Sequence, residues 1–163
     1  MGLAIPIIFA ALVIYGALSD LLTFRIPNAV PYGLVLLFAA QAVLAGQAPS
    51  FMNIAFAAIV LVIGVAFWWL RLMGGGDVKY LASISLFMGP EAGLDFVVLL
   101  TVIGLCFGGL LKLSTVLFPP GGPTRAPAFV TRLREKIVLN QLPYGLPIGL
   151  AAVAMSPAIF GIR

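Results

Sequence analysis

Five acidic side chains are the residues of this sequence best suited to chemistry, because histidine is absent and cysteine occurs only once. The 163 residues contain no histidine and a single cysteine, Cys106. A Ser–His dyad, an HExxH metalloprotease helix and a cysteine-rich zinc site are therefore excluded. We expect neither a metal nor another cofactor. The acids that remain are Asp20, Asp77, Glu91, Asp95 and Glu135.

A pair of aspartates such as Asp20 and Asp77 can hydrolyse a peptide bond when the two carboxyl groups lie close together. The ionised member takes a proton from water while the protonated member donates to the scissile carbonyl. Two neighbouring carboxylates cannot both ionise cheaply, so they share a proton. The run Gly74-Gly75-Gly76 before Asp77 fits this use, because glycine lets the backbone turn sharply and approach a substrate strand closely.

The elements that must position these acids are predicted to be membrane helices. Of the residues, 63% are hydrophobic and 9% charged, whereas a soluble domain carries about 25% charged residues. A chain this short has too little buried volume to hide so much apolar surface from water. In lipid, apolar side chains face outward as well as inward. We therefore predict an all-α, polytopic membrane helix bundle in which residues 1–163 form a single domain.

About six apolar stretches are candidates to cross the ~30 Å hydrocarbon core as helices. Pro, Gly, Asn and charged residues separate them, as is usual for loops. The fourth stretch is the shortest, because roughly 12 residues at 1.5 Å each reach only ~18 Å. It fits either a half-helix or a helix that starts below the membrane surface. The predicted spans are 3–21, 30–45, 51–72, 78–89, 94–118 and 144–162.

The distribution of basic residues predicts that the N-terminus lies outside. Lys and Arg collect in cytoplasmic loops, and with six crossings only Arg163 falls on the outer side, together with Glu91 and Asp95. If the fourth stretch did not cross, the basic residues of 125–136 would face away from those of the first loop. The predicted inner side holds Arg25, Arg71, Lys79, Lys112, Arg125, Arg132, Arg134 and Lys136.

This topology brings Asp20 and Asp77 to the same side of the membrane. Asp20 ends the first span, Asp77 precedes the fourth, and the two crossings between them return the chain to the cytoplasmic face. Glu91 and Asp95 fall on the opposite face, and Glu135 sits among basic residues. Ionisable groups at membrane depth are costly and therefore candidates for function. Two plainer interpretations are that Asp77 N-caps the fourth helix and that Asp20 merely marks a helix end.

The longest connection, 119–143, is predicted to be a cytoplasmic loop. It opens with Pro-Pro-Gly-Gly-Pro, which cannot continue a helix. Within it, residues 129–139 place apolar side chains at helical spacing with basic residues between them. This pattern favours either a short amphipathic helix on the inner leaflet or a plain basic anchor.

Three stretches of the sequence resemble the bacterial type IV prepilin peptidases, which are aspartic proteases of the GxGD class. Residues 20–28 read D-L-L-T-F-R-I-P-N, similar to the first-aspartate segment of that family. Residues 74–79 read G-G-G-D-V-K, which fits G-x-G-D-x-K. Residues 142–147, L-P-Y-G-L-P, are similar to the Pro-Tyr-Gly run that enters the last helix. The resemblance covers nearly the whole chain as a pattern of helices.

The resemblance implies roles for the matching positions. Asp20 and Asp77 would form the catalytic pair. Gly74 and Gly76 would shape the turn that presents the second aspartate. Lys79 would be a motif residue, unless it is only an inside-facing anchor.

Two further groups of residues would position the substrate or the first segment. Arg25, Pro27 and Asn28 would hold the first segment, although Asn28 could equally cap the second helix. The residues Pro143, Tyr144 and Gly145 would lie near the substrate path, unless they form only a proline helix start beside an interfacial tyrosine.

The resemblance further implies an enzyme of the inner membrane with its active site on the cytoplasmic side. Its partners would be lipid and a prepilin whose apolar N-terminal helix lies in the bilayer, and no nucleic acid. Cleavage would follow a glycine at the cytoplasmic boundary. The bifunctional members carry paired CxxC motifs and methylate the new N-terminus. This sequence has no CxxC, so we expect a peptidase-only form, similar to those of tight-adherence (Flp) pilus systems.

Two other classes of protein also fit an apolar helical chain. A small transporter or channel subunit would use its acids as ion or proton sites, and such sites lie near the bilayer midplane between broken helices. In this sequence the two aspartates lie at one boundary. A structural assembly subunit would need neither aspartate.

Overall fold

The computed structural model of the protein describes residues 3–117 and 143–161. This part of the chain is all-α, as predicted, and it contains no strand. Pro27 and Asn28 precede the second helix, and Gly74 precedes the fourth. The helices are α1 (Ala4–Thr23), α2 (Ala29–Leu44), α3 (Phe51–Trp69), α4 (Gly75–Leu117) and α5 (Gly145–Phe160).

The fourth and fifth predicted spans form one element, α4, with a kink at Gly89. The backbone of Gly89 is non-helical there, with φ 60° and ψ −173°. Pro90 follows and has no N–H, so it cannot donate to the carbonyl of Leu86 four residues earlier. The side-chain amide of Asn53, in the first turn of α3, donates to that carbonyl instead at 2.9 Å. The break predicted after residue 89 therefore coincides with this kink.

The surface of the helices has the character of a membrane protein. By length and composition, α1, α3 and residues 75–113 of α4 are able to cross a membrane, and α2 and α5 are shorter apolar helices. Large apolar side chains such as Leu36 and Leu105 are exposed on their outer faces. Such a surface is unfavourable in water and normal against lipid. A total of six crossings and an outside N-terminus stay predictions.

Helix α4 is the centre of the bundle. It packs against α2, α3 and α5, while α1 packs against α2 and α5. Phe9 of α1 lies against Phe87 of α4 and Phe160 of α5, with ring centroids 4.8 and 5.4 Å apart. Helices α2 and α3 follow each other in the chain but have little direct contact, because α4 lies between them.

Small residues set how closely the helices approach. A Cβ added to Gly149 of α5 would lie 2.6 Å from the Cβ of Ala17 in α1, and one on Gly64 of α3 would lie 2.8 Å from Val78 of α4. Membrane helices commonly use such small residues, since dispersion contacts must replace the hydrophobic drive that water provides. This close packing brings the end of α1, the start of α4 and the start of α5 together. The predicted loop 119–143, apart from Pro143, lies outside the described residues.

Candidate active site

Asp20 lies in the last turn of α1 and points at the start of α5. Its side chain is 5% exposed, and its Oδ2 accepts a hydrogen bond from the backbone N–H of Gly145 at 2.7 Å. Gly145 is the first residue of α5, where the helix dipole favours a negative charge. A Cβ on Gly145 would meet the Asp20 carboxyl carbon at 2.9 Å. The close approach therefore requires glycine at position 145.

Asp77 lies in the first turn of α4. Its side chain is 8% exposed, and its Oδ2 accepts a hydrogen bond from the N–H of Gly74 at 3.2 Å. The carbonyl of Gly74 accepts the first bond of the helix, from Val78, so Gly74 is the N-cap. A carboxylate at the third helical position that bonds back to the N-cap N–H forms half of a capping box. Asp77 thus has a capping contact, although it is not itself the N-cap residue.

The two aspartates line one cavity. Its volume is about 540 Å³, and its wall includes both carboxyl groups, the glycines at 74–76 and Tyr144. Asp20 and Asp77 are close enough for their charges to interact. The structure therefore places the pair that the topology predicts on the wall of one cavity. Their catalytic role stays a prediction.

The glycine run lines this cavity. At Gly74 an added Cβ would lie 2.9 Å from Asp77 Oδ2, which is tighter than real contacts allow. At Gly76 it would make only ordinary contacts with Ile26, the nearest at 3.7 Å. Packing among the described residues therefore explains why position 74 is glycine. It does not explain why position 76 is glycine. A substrate-facing role for the glycine at 76 stays a prediction.

The first-segment residues Arg25, Pro27 and Asn28 differ in their relation to the same cavity. Arg25 lines it with an exposed side chain, and its carbonyl accepts the hydroxyl of Ser19 at 3.0 Å. Pro27 does not line the cavity, but its carbonyl accepts the N–H of Val30 at 3.0 Å and so starts α2.

Asn28 links the first segment to α4. It occupies the N-cap position of α2, yet its side chain makes no capping bond. Its Oδ1 instead accepts a hydrogen bond from Lys79 Nζ at 3.4 Å. Lys79 is exposed and lies two residues after Asp77. The two motif residues therefore connect the segment after Asp20 with the helix that carries Asp77.

Tyr80 is a residue of the site region that sequence reasoning missed. It is fully buried, and its hydroxyl donates to the carbonyl of Val13 in α1 at 2.7 Å. It lies about one turn after Asp77 on α4. This tyrosine ties the helix of one aspartate to the helix of the other. The only available signal was its position three residues after Asp77, on the same helix face.

Two turns with unusual backbone also line the cavity. Phe24, which ends α1, has φ 56°, and Arg71, in the turn after α3, has φ 59°. Positive φ is uncommon for residues other than glycine and costs free energy. Arg71 is one of the basic residues predicted on the inner side, and the structure places it beside the two aspartates. No local pattern in the sequence indicates either conformation.

The remaining acids lie elsewhere. Glu91 and Asp95 are exposed after the kink of α4 and do not line the cavity. Glu135 is outside the described residues. Within residues 3–117 and 143–161, no cluster of three or more potential metal ligands is found.

A comparison with protein families identifies the chain's relatives. The model of the type IV leader peptidase family matches residues 7–109, which is more than half of the chain and includes both aspartates. The match ends before the Pro143-Tyr144-Gly145 segment. Neither a curated protein nor a solved structure matches the sequence. The resemblance inferred from the motifs is thus confirmed, and the chain belongs to the type IV leader peptidase family.

Proposed function

We propose that the chain is an intramembrane aspartic endopeptidase that removes the leader peptide of type IV, Flp-like prepilins. Membership of the leader peptidase family implies a peptidase. The observation that supports the aspartic mechanism is the pair of buried carboxyl groups, Asp20 and Asp77, on the wall of one cavity. With no histidine in the sequence, these carboxyls are the best-placed groups for moving protons there.

The reaction we propose is direct attack of water on the scissile carbonyl. The ionised aspartate takes a proton from the water, and the protonated one donates a proton to the carbonyl oxygen. The tetrahedral intermediate then loses the amine, which takes up a proton as the carbon–nitrogen bond breaks. The products are the leader with a new carboxylate and the pilin with a new amine. No covalent enzyme intermediate is needed.

Glycine N–H groups hold the two carboxyls for this reaction. Gly145 donates to Asp20 from the start of α5, and Gly74 donates to Asp77 from the turn before α4. Each bond occupies one carboxyl oxygen, Oδ2, and leaves Oδ1 for water or the substrate. Preorganised groups of this kind reduce the reorganisation that the reaction requires.

The proposed setting is the inner membrane, with the cavity at its cytoplasmic boundary. Basic residues at the cavity, such as Arg25 and Arg71, support this orientation because Lys and Arg favour the cytoplasmic side. The substrate's apolar helix would lie in the bilayer and its leader in the cytoplasm. Within these 163 residues a single cysteine cannot form CxxC, so we propose no methyl transfer by them.

The proposal is tested by reconstituting the purified protein in liposomes with an Flp-type prepilin and identifying the products by mass spectrometry. We expect one cut, on the carboxyl side of the last leader glycine, at the same rate with and without EDTA. Cutting elsewhere in the pilin, or loss of cutting with EDTA, would contradict the proposed substrate or mechanism.

A further inference from the structure

A second cavity lies on the lipid-facing side of the bundle, between α2 and α3. These two helices have little direct contact, and α4 forms the floor between them. The resulting open groove has a volume of about 480 Å³ and runs along α4 from Lys79 to Leu86. At 1.5 Å per residue this distance is about 10 Å, directed away from Asp77 along the helix.

The walls of the groove are apolar and its floor is shallow. Tyr32 and Val35 of α2 face Ile54 and Ala58 of α3 across it, and all four are exposed. Ala82 of α4 lies on the floor. Small residues of this kind let another helix come close in a membrane. The shape therefore suits one face of an apolar helix.

The groove adjoins the cavity that the aspartates line. Lys79 lines the groove, and its Nζ is hydrogen-bonded to Asn28, which lines the aspartate cavity. The pair Lys79–Asn28 therefore stands at the junction of the two spaces. The two spaces thus lie side by side at the start of α4.

We propose that the groove between α2 and α3 binds the apolar helix of the substrate that follows the scissile bond. This inference rests on the proposed function and adds the surface that selects and orients the substrate. The position of the groove directly beside the aspartate cavity favours a substrate helix over the other occupant of such a groove, a lipid acyl chain. The groove holds the helix beside α4, so that its N-terminal end reaches the two carboxyls.

Filling the groove tests the proposal by kinetics. Ala58→Trp places a large side chain in the groove from an exposed position of α3. Ala66→Trp is the matched control, because Ala66 is exposed on the same helix and does not line the groove. For an Flp-type prepilin we expect kcat/KM to fall at least tenfold, mainly through KM, in Ala58→Trp and to stay within twofold in Ala66→Trp. Equal rates in the two variants would overturn the proposal.

Crosslinking gives a measurement that does not depend on the folding of the tryptophan variant. A photoreactive amino acid replaces Val35, which lines the groove, or its neighbour Leu36, which is 70% exposed and does not. We expect the prepilin to crosslink at 35 at least fivefold more than at 36. Equal crosslinking while the protein still cuts the prepilin overturns the inference alone. A wild-type protein that does not cut the prepilin instead overturns the proposed function.

Discussion

Each of the two aspartates accepts a hydrogen bond from the N–H of a glycine. Asp20 takes its bond from Gly145, which is distant in sequence, whereas Asp77 takes its bond from Gly74 three residues earlier. Both donors belong to the start of a helix, where the dipole stabilises negative charge. The two carboxyls are thus held by backbone groups that have no titratable proton of their own. This arrangement fixes the positions of the two carboxyl groups.

The contact between Gly145 and Asp20 predicts that Gly145→Ala will damage catalysis without preventing insertion. The new Cβ would lie 2.7 Å from Asp20 Cβ, so α5 or the carboxyl must move. A displacement of about 1 Å at a catalytic group lowers kcat by about a hundredfold. The control is Gly109→Ala, because an added Cβ at that position meets nothing within 4 Å. Prepilin cleavage by the two variants, at equal amounts in the membrane, checks the prediction. Equal kcat would contradict it.

The hydroxyl of Tyr80 predicts a measurable effect on stability. Tyr80→Phe removes the bond to the Val13 carbonyl at 2.7 Å, and a hydrogen bond of this kind contributes about 1 kcal/mol to the free energy of unfolding. Tyr15→Phe is the matched control on α1, since Tyr15 is exposed. Unfolding in mixed detergent micelles measures both variants. A Tyr80→Phe protein as stable as the control would show that the bond does not hold α1 to α4.

At the residue scale, the two aspartates can be identified from the sequence, whereas the groups that hold them and their helices in place cannot. Asp20 and Asp77 stand out because acids are rare in an apolar chain and because the topology puts both on one side. The N–H of Gly145 and the hydroxyl of Tyr80 act through tertiary contacts. A single position on a helix carries no pattern that identifies such a contact. Within the glycine motif, an added Cβ would lie too close to Asp77 at Gly74 but would make only ordinary contacts at Gly76. Packing therefore requires glycine at 74 and not at 76.

The helices were predicted well where apolar runs end in proline, asparagine, glycine or charge. Helices α1, α2 and α3 end within three residues of the predicted bounds. The start of α4 was placed three residues too late, at 78 instead of Gly75. The difference arises because consecutive glycines are typical of a loop. Here Gly75 and Gly76 instead belong to the first turn of α4. Asp77 is therefore a helical residue rather than the residue before a helix.

The kink of α4 yields a prediction about Asn53. Its side-chain amide donates to the Leu86 carbonyl, which Pro90 cannot satisfy. Asn53→Ala leaves this carbonyl without that donor, and the expected loss is about 1 kcal/mol or more in the free energy of unfolding. Gln47→Ala, at an exposed amide in the preceding loop, serves as the control. The same micelle unfolding experiment applies, and equal stability of the two variants would contradict the assigned role of Asn53.

At the scale of the whole molecule, the charge distribution predicts how the bundle lies in the membrane. Arg25 and Arg71 flank the aspartate cavity, and the loop between α2 and α3 carries no basic residue. Basic loops stay in the cytoplasm. In a Cys106→Ser background, we expect Leu72→Cys to react only from the cytoplasmic side and Gln47→Cys only from outside. Labelling of intact and opened cells with an impermeant thiol reagent checks this, and the reverse pattern would refute the orientation.

The overall architecture follows from composition and charge, while the groove between α2 and α3 does not. Apolar content predicts membrane helices, and the two crossings predicted between Asp20 and Asp77 put both aspartates on one face. Which helices touch depends on side-chain shape, such as Gly149 against Ala17 and Gly64 against Val78. The first of these contacts joins α5 to α1, and the second joins α3 to α4. They cannot be derived from the periodicity of one helix, since most faces here are apolar.

The central claim is that Asp20 and Asp77 act together as the catalytic pair. The most direct measurement is in-membrane cleavage of an Flp-type prepilin by the wild-type protein and by Asp20→Asn, Asp77→Asn and Glu91→Gln, with Glu91 as an exposed acid away from the cavity. We predict that both aspartate variants insert normally and lose cleavage by at least about a thousandfold, near 4 kcal/mol of activation free energy, while Glu91→Gln cuts at the wild-type rate. Normal turnover in either aspartate variant would contradict the catalytic pairing of Asp20 and Asp77.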